Sequence, residues 1–185
     1  MTFVNGTAHF GGGASDYFRQ RSTTYQPLRG ATGITYSADI KLDAVSASDG
    51  IMFLYDAGSS QGFSLGTISG NTANLSLTVT STGGVTKTWS TTGYPVTTGA
   101  WHNVSATWLR GEAGVIYVDG ISQALNSSDI ISGVISTNID TTIYFGANAS
   151  IMASRLQGYA DNMMIWVNRG LTSNEVNSVK DWGAK

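Results

Sequence analysis

The chain has no cysteine and only 2 prolines among its 185 residues. Without thiols, disulfide stapling and thiolate chemistry are both excluded. Charge is also scarce. Asp, Glu, Lys and Arg make up 12% of the residues, about half the usual quarter. The formal net charge is −2 and the chain carries no basic patch, which argues against nucleic acid as a partner. Glutamate is nearly missing, with Glu112 and Glu175 alone among the acids. No apolar run approaches the roughly 20 residues a membrane-spanning helix needs, so no membrane partner is expected. Met1-Thr2-Phe3-Val4 opens without a cationic or long apolar segment, so no signal peptide is expected.

Glycine, serine and threonine take the place of the missing charge. The 23 glycines and a 41% hydrophobic share favour short strands and turns around a real core. The length suits one domain, residues 1–185. From Gly33 to Leu42 the alternation is clean. Ile34, Tyr36, Ala38, Ile40 and Leu42 take one face, and Thr35, Ser37, Asp39 and Lys41 the other. The stretch from Trp101 to Gly120 reads as a hairpin. Trp101, Val104, Ala106 and Trp108 are expected to face the core, and Arg110 to Gly114 to form the loop. Asp119-Gly120 suits a type I′ turn. Further strands are expected at Phe10, Tyr17-Phe18, Ile51–Tyr55, Phe63–Ile68, Leu75–Val79, Val85–Trp89, Ile143–Phe145 and Tyr159–Val167. Residues 126–138 read as surface loop with one short strand. One helix is expected near Thr172–Asp181, where Thr172 and Glu175 form a capping box. Alternating strands at short intervals imply an all-β fold of two antiparallel sheets packed face to face.

Four segments, in order, resemble the laminin-G-like branch of the concanavalin A-like lectin and glucanase superfamily. They are Ala8–Gly12 leading to Asp16-Tyr17-Phe18, then Gly33–Ala38, then Gly99–Val104 through Tyr117–Gly120, and finally Gly158–Asp161 through Asn168-Arg169 to Val176. The resemblance implies a jelly-roll β-sandwich with one short C-terminal helix. It implies function less sharply, because such domains bind glycans, bind proteins or serve as building blocks.

Glycosidases of this fold set two carboxylates two residues apart on one strand, so that acid and nucleophile flank one bond. Glu112 falls in a hairpin loop and Glu175 in a helix cap, so catalysis is not expected and no residue is assigned to it. His9 and His102 are read as structural neighbours of the core. The resemblance makes calcium the candidate cofactor, with Asp161 and Asp56 as candidate ligands and Asp119 and Asp129 in further turns. No cofactor is expected to be required. Aromatic side chains are the candidate ligand platforms. Tyr94 and Trp89 lead, with Tyr25, Tyr144 and Trp182 also considered, while Trp101, Trp108 and Trp166 are assigned to the core.

These features point to a non-catalytic, surface-displayed structural or adhesion module. A bacteriophage virion protein, for capsid decoration or a tail, is the expected setting, made in the cytoplasm and displayed on the particle. A lectin-like carbohydrate-binding module, with or without calcium, is the alternative. The expected partners are glycans, a protein shell or further copies of the chain in a homo-oligomer.

Overall fold

The fold is that of a computed structural model, which describes residues 2–4, 7–11, 17–21, 29–44, 50–56, 61–67, 74–135, 142–146 and 156–183. Among them thirteen strands form two antiparallel sheets. The strands are β1 (Thr2–Val4), β2 (Thr7–Gly11), β3 (Phe18–Arg21), β4 (Gly33–Leu42), β5 (Gly50–Asp56), β6 (Gln61–Thr67) and β7 (Leu75–Thr80). They continue with β8 (Thr86–Ser90), β9 (Trp101–Leu109), β10 (Val115–Val118), β11 (Ile121–Ser122), β12 (Thr142–Phe145) and β13 (Gln157–Val167). One sheet has seven strands, ordered β1-β2-β13-β4-β9-β10-β11, and the other six, ordered β3-β12-β5-β6-β7-β8. Helix α1 (Ser173–Lys180) follows the last strand. No described helix is long and apolar enough to cross a membrane.

The alternation read in β4 is the alternation of the core. Ile34, Tyr36, Ala38, Ile40 and Leu42 are all fully buried. They meet Phe63, Leu65, Leu77 and Val79 from the opposite sheet in one cluster. Burial of this apolar area, at roughly 25 cal/mol per Å², is the main stabilising term. Strand β9 pairs with β4 from Gly33↔Leu109 to Lys41↔Trp101 and buries Val104, Ala106 and Trp108.

Trp101 departs from the expectation. It is 47% exposed. The reason is parity. The buried residues of β9 that reach the core are even-numbered, and successive side chains of a strand alternate faces, so residue 101 belongs to the outer side. The apolar character of tryptophan outweighed its position in the sequence reading.

Three further features were not legible as local pattern. Strands β1 and β11 are too short to show alternation. Residues 126–135 contain no strand, and the nearby Leu125 makes only an isolated bridge to Thr91. That loop is not merely surface, because Ile131 and Ile135 are buried in the main cluster. Its backbone is held piecewise: Ile131 accepts the Gly111 amide at 2.7 Å, and Ile135 donates to Ala31 at 3.0 Å. Tyr25 lies outside the described residues.

Helix α1 forms where the capping box placed it. The Thr172 side chain accepts the Glu175 amide, and the Glu175 carboxylate accepts the Thr172 amide at 2.8 Å. Val176 and Val179 pack with Leu171 and Tyr117 against Val115, Met164 and Trp166. The helix therefore covers one part of the outer face of the seven-stranded sheet. Trp166, assigned to the core, is half-buried beneath it. This cover explains why Thr35 is fully buried although it sits on the polar parity. Its hydroxyl accepts the Leu171 amide at 2.9 Å and lies 3.0 Å from the Arg169 carbonyl. The C-terminal end of α1 docks on the β10–β11 turn, where Asp119 (φ 54°) and Gly120 (φ 79°) adopt the expected type I′ signs. Asn177 Nδ2 donates to the Gly120 carbonyl at 3.3 Å.

Trp108→Ala is expected to cost about 3–5 kcal/mol in urea unfolding, whereas Trp101→Ala should change stability by about 0.5 kcal/mol. The reverse order would show that the parity of β9 is wrong. The helix cap makes a separate prediction. The Thr172 amide, Arg169 and the Thr172 hydroxyl hold the Glu175 carboxyl at about 2, below its ordinary 4.5. A depressed pKa stabilises the fold above the ordinary value, and that contribution is lost as pH falls through the lowered one. Glu175→Gln should therefore lower the melting temperature at neutral pH, and the gap to the parent should close between about pH 4.5 and about pH 2. A gap independent of pH would contradict the assignment.

Candidate ligand-binding face

Among the described residues, the helix does not cover the other end of that outer face. There a row of side chains crosses four adjacent strands. His9 on β2 pairs with Tyr159 on β13, Tyr159 with Lys41 on β4, and Lys41 with Trp101 on β9. Residues in register across a sheet project to the same side, so all four stand on the outer face. The rings close up over the backbone. The His9 and Tyr159 centroids are 4.4 Å apart with planes at 31°, and those of Trp101 and Tyr159 are 6.3 Å apart at 55°. The Lys41 ammonium lies 5.4 Å from the centre of the Tyr159 ring, a cation–π contact. His9 Nε2 lies 3.5 Å from the Asp43 carboxylate. Gly158 (φ 148°) permits this close approach of β13 to β4, since a Cβ there would sit 2.1 Å from the Lys41 carbonyl.

Two residues along the strands, a polar row runs beside the aromatic one. Asp161 pairs with Asp39, and Asp39 with Asn103. Asp39 accepts Asn103 Nδ2 at 2.9 Å on one oxygen and Asn162 Nδ2 at 2.6 Å on the other. Asn162 reaches it from a bulge in β13 between Asp161 and Met164, with φ at 49°, a conformation asparagine tolerates. Asp161 accepts the Asn162 amide at 2.9 Å. Ser105 donates to Ser37 at 2.8 Å and continues the network toward the helix. The Asp39 carboxylate is thus fixed by two amide donors.

His102, next to Trp101 but on the opposite, inward parity of β9, has the partners of a catalytic histidine. Its Nδ1 lies 2.8 Å from Asp119 Oδ2, and its Nε2 lies 2.9 Å from Thr97 Oγ1. Yet Nε2 also accepts the Thr97 backbone amide at 3.2 Å. That bond fills the lone pair a general base would use and places the proton on Nδ1, toward Asp119. The arrangement fastens the loop ahead of β9 to the strand and to the Asp119 turn.

The expected site residues scatter. Trp89 is fully buried and its Nε1 donates to the Asp129 carbonyl at 3.0 Å, so its ring offers no face to a ligand. It pairs in register with the buried Leu77 of β7 and so shares its inward face. Tyr94 is 64% exposed, as expected, in the loop between β8 and β9. Trp182 is 71% exposed, in a short turn that touches β13. Asp161 is in β13 of the seven-stranded sheet and Asp56 at the end of β5 in the six-stranded one. Asp129 pairs with Lys87 at 2.8 Å. The aromatic row itself, Trp101, Tyr159, His9 and Lys41, was not among the expected site residues. Their signal was there: each sits on the outward parity of its strand. Only strand order, which is not local information, brings them side by side.

Comparison with known proteins agrees with this architecture. Residues 11–177 match a laminin G family model described as the concanavalin A-like lectin/glucanases superfamily. No curated protein matches the chain. Among solved structures, the chain is similar to a native heptameric SAP-like pentraxin from Limulus polyphemus, with 16% identity and a TM-score of 0.63 over 90% of this chain and 82% of that one. It is also similar to the botulinum neurotoxin serotype G binding domain, with 13% identity and a TM-score of 0.63 over 92% of this chain and 41% of that one. A third similar structure is domain 4 of a GH43 extracellular arabinanase from Geobacillus stearothermophilus in complex with arabinotriose. There the identity is 16% and the TM-score 0.58, over 83% of this chain and 68% of that one. The chain thus spans most of the pentraxin's length and about two-fifths of the toxin domain's. With the family model covering nearly the whole two-sheet sandwich, the chain belongs to the concanavalin A-like lectin/glucanases superfamily.

Proposed function

We propose that this chain is a non-catalytic glycan-binding module whose binding face is the open outer surface of the seven-stranded sheet. One observation carries the reading. Trp101 stands half-exposed on a central strand, in ring contact with Tyr159 and beside a row of fixed carboxylates and amides. A pyranose or furanose ring has an apolar C–H face and a rim of hydroxyls. The first stacks on an indole or phenol, and the second needs oriented donors and acceptors. Both halves of that demand are met here within two residues along the same strands. Exposing a large aromatic ring in a strand otherwise buried or polar forgoes burial free energy of about 1.5–3 kcal/mol, which a ligand surface would justify. The arabinotriose held by the arabinanase domain supports the same class of role on this fold.

Glycan-array screening followed by calorimetry tests the proposal. Saturable binding to a defined sugar is expected, lost at least tenfold in Trp101→Ala with an unchanged melting temperature. Light scattering of the same samples adds the competing outcome. A self-associating protein with no glycan signal would return the chain to a structural or adhesion role. Binding that ignores Trp101 but is lost in Tyr94→Ala would move the site to the β8–β9 loop.

A further inference from the structure

The loop between β8 and β9, residues 91–100, is fastened by a hydrogen bond that a single proton breaks. We propose that His102 is an acid-sensitive latch on this loop. Its neutral ring holds the loop at Thr97, and its protonated ring lets the loop go. The latch works in the unliganded protein and does not depend on the glycan-binding reading.

The loop has few other holds. At its start the Thr92 amide donates to the Ala124 carbonyl at 3.0 Å, and near its end the Gly99 amide donates to the Leu42 carbonyl at 2.8 Å. Between them, the hydrogen bonds of residues 94–98 all go to the His102 ring. The Thr97 amide donates to Nε2 at 3.2 Å, and the Thr97 hydroxyl lies 2.9 Å from the same atom. Of residues 92–100 only Val96 is buried. A segment with so little buried area opens at low cost.

Counting protons on the ring shows what acid does. An amide that donates to Nε2 needs the lone pair there. The neutral ring therefore carries its proton on Nδ1, where Asp119 Oδ2 accepts it at 2.8 Å. A second proton has only Nε2 to go to. The lone pair is then consumed, and two N–H groups face each other. The Thr97 hydroxyl can turn and accept from the new N–H. The Thr97 amide cannot, and on this exposed loop it exchanges the ring for water.

The loop gives way rather than the ring. Charging the imidazole strengthens its bond to the Asp119 carboxylate. Asp119 is itself anchored, because its Oδ1 accepts the Asn103 amide at 2.9 Å and its own amide donates to the Asn103 carbonyl at 2.8 Å. Other charges stand aside. Lys180 of α1 lies beside Gly120, but its ammonium bonds Asp181 at 2.7 Å. On β4, Ile40 pairs with His102, and its neighbours Asp39 and Lys41 project to the opposite face. The loop carries no charged residue, and Tyr94 is its one titratable group. Among the described residues, Asp119 is thus the one charged group in contact with the ring.

Nuclear magnetic resonance of the full chain between about pH 8 and about pH 5, the range in which histidine charges, tests the latch. At the upper end the His102 nitrogens should report a ring protonated on Nδ1 alone, with scalar coupling from the Thr97 amide to Nε2. As the pH falls, that coupling should vanish, and the Thr97 amide should shift with the midpoint of the His102 ring. Its hydrogen-exchange protection, corrected for the intrinsic rate, should drop about tenfold or more, while the Asp119 amide keeps its own. His102→Gln, neutral at every pH, should abolish the response of Thr97. That variant retains His9, the other histidine of the chain, as an internal control. A His102 ring that titrates while the Thr97 amide stays still would overturn the proposal, as would a ring that remains neutral down to about pH 5. The same acid response in His102→Gln would assign it to another group and overturn the latch equally. The first two outcomes are read on the unmodified protein, so they decide the matter even if the variant does not fold.

Discussion

The antiparallel pairing of β4 with β9 is the constraint on which the rest depends. These two strands lie at the centre of the seven-stranded sheet and stay in unbroken register over nine residue pairs, from Gly33↔Leu109 to Lys41↔Trp101. Once that register is set, every residue on either strand is committed to one side. Ile34, Tyr36, Ala38, Ile40, Val104, Ala106 and Trp108 go inward. Lys41, Asp39, Asn103 and Trp101 go outward. A slip of one residue would exchange the inner face for the outer, so the same pairing that stabilises the sandwich also assembles the aromatic row proposed as the binding face.

The outward side is then divided by the C-terminal segment. Helix α1 and the strand-to-helix connection cover one end, where Thr35 is buried and Trp166 half-buried beneath Leu171 and Val176. The opposite end stays open and holds the aromatic row. Between them the Ser37–Ser105 and Asp39–Asn103 bonds form a polar seam that needs no apolar cover, because its buried polar atoms are partnered. The bulge at Asn162 belongs to this division. It lets β13 continue along β4 past Asp161 while sending an amide to Asp39.

Much of this was legible before any coordinates. The alternation of β4, the Asp119-Gly120 turn and the Thr172–Glu175 box are local patterns, and local physics decides them. The family resemblance lay in the same segments. What was not legible depended on which strands are neighbours. Trp101 was read as core on the same face as Val104, Ala106 and Trp108, and Trp89 as an exposed aromatic platform. Parity and strand order reverse both. Loop 126–135 hid its contribution for a related reason: its bonds go to Gly111, Ala31 and Trp89, far away in sequence.

The central claim is that one face of this sandwich, built around Trp101 and Tyr159, is the ligand surface. Nuclear magnetic resonance of the indole N–H signals during titration with arabinotriose, cellotriose or xylotriose tests it most directly. The Trp101 indole should shift and saturate together with the Tyr159 and Lys41 resonances, while the buried Trp89 and Trp108 indoles stay still. A titration that moves the Tyr94 loop and leaves Trp101 unmoved would contradict the account.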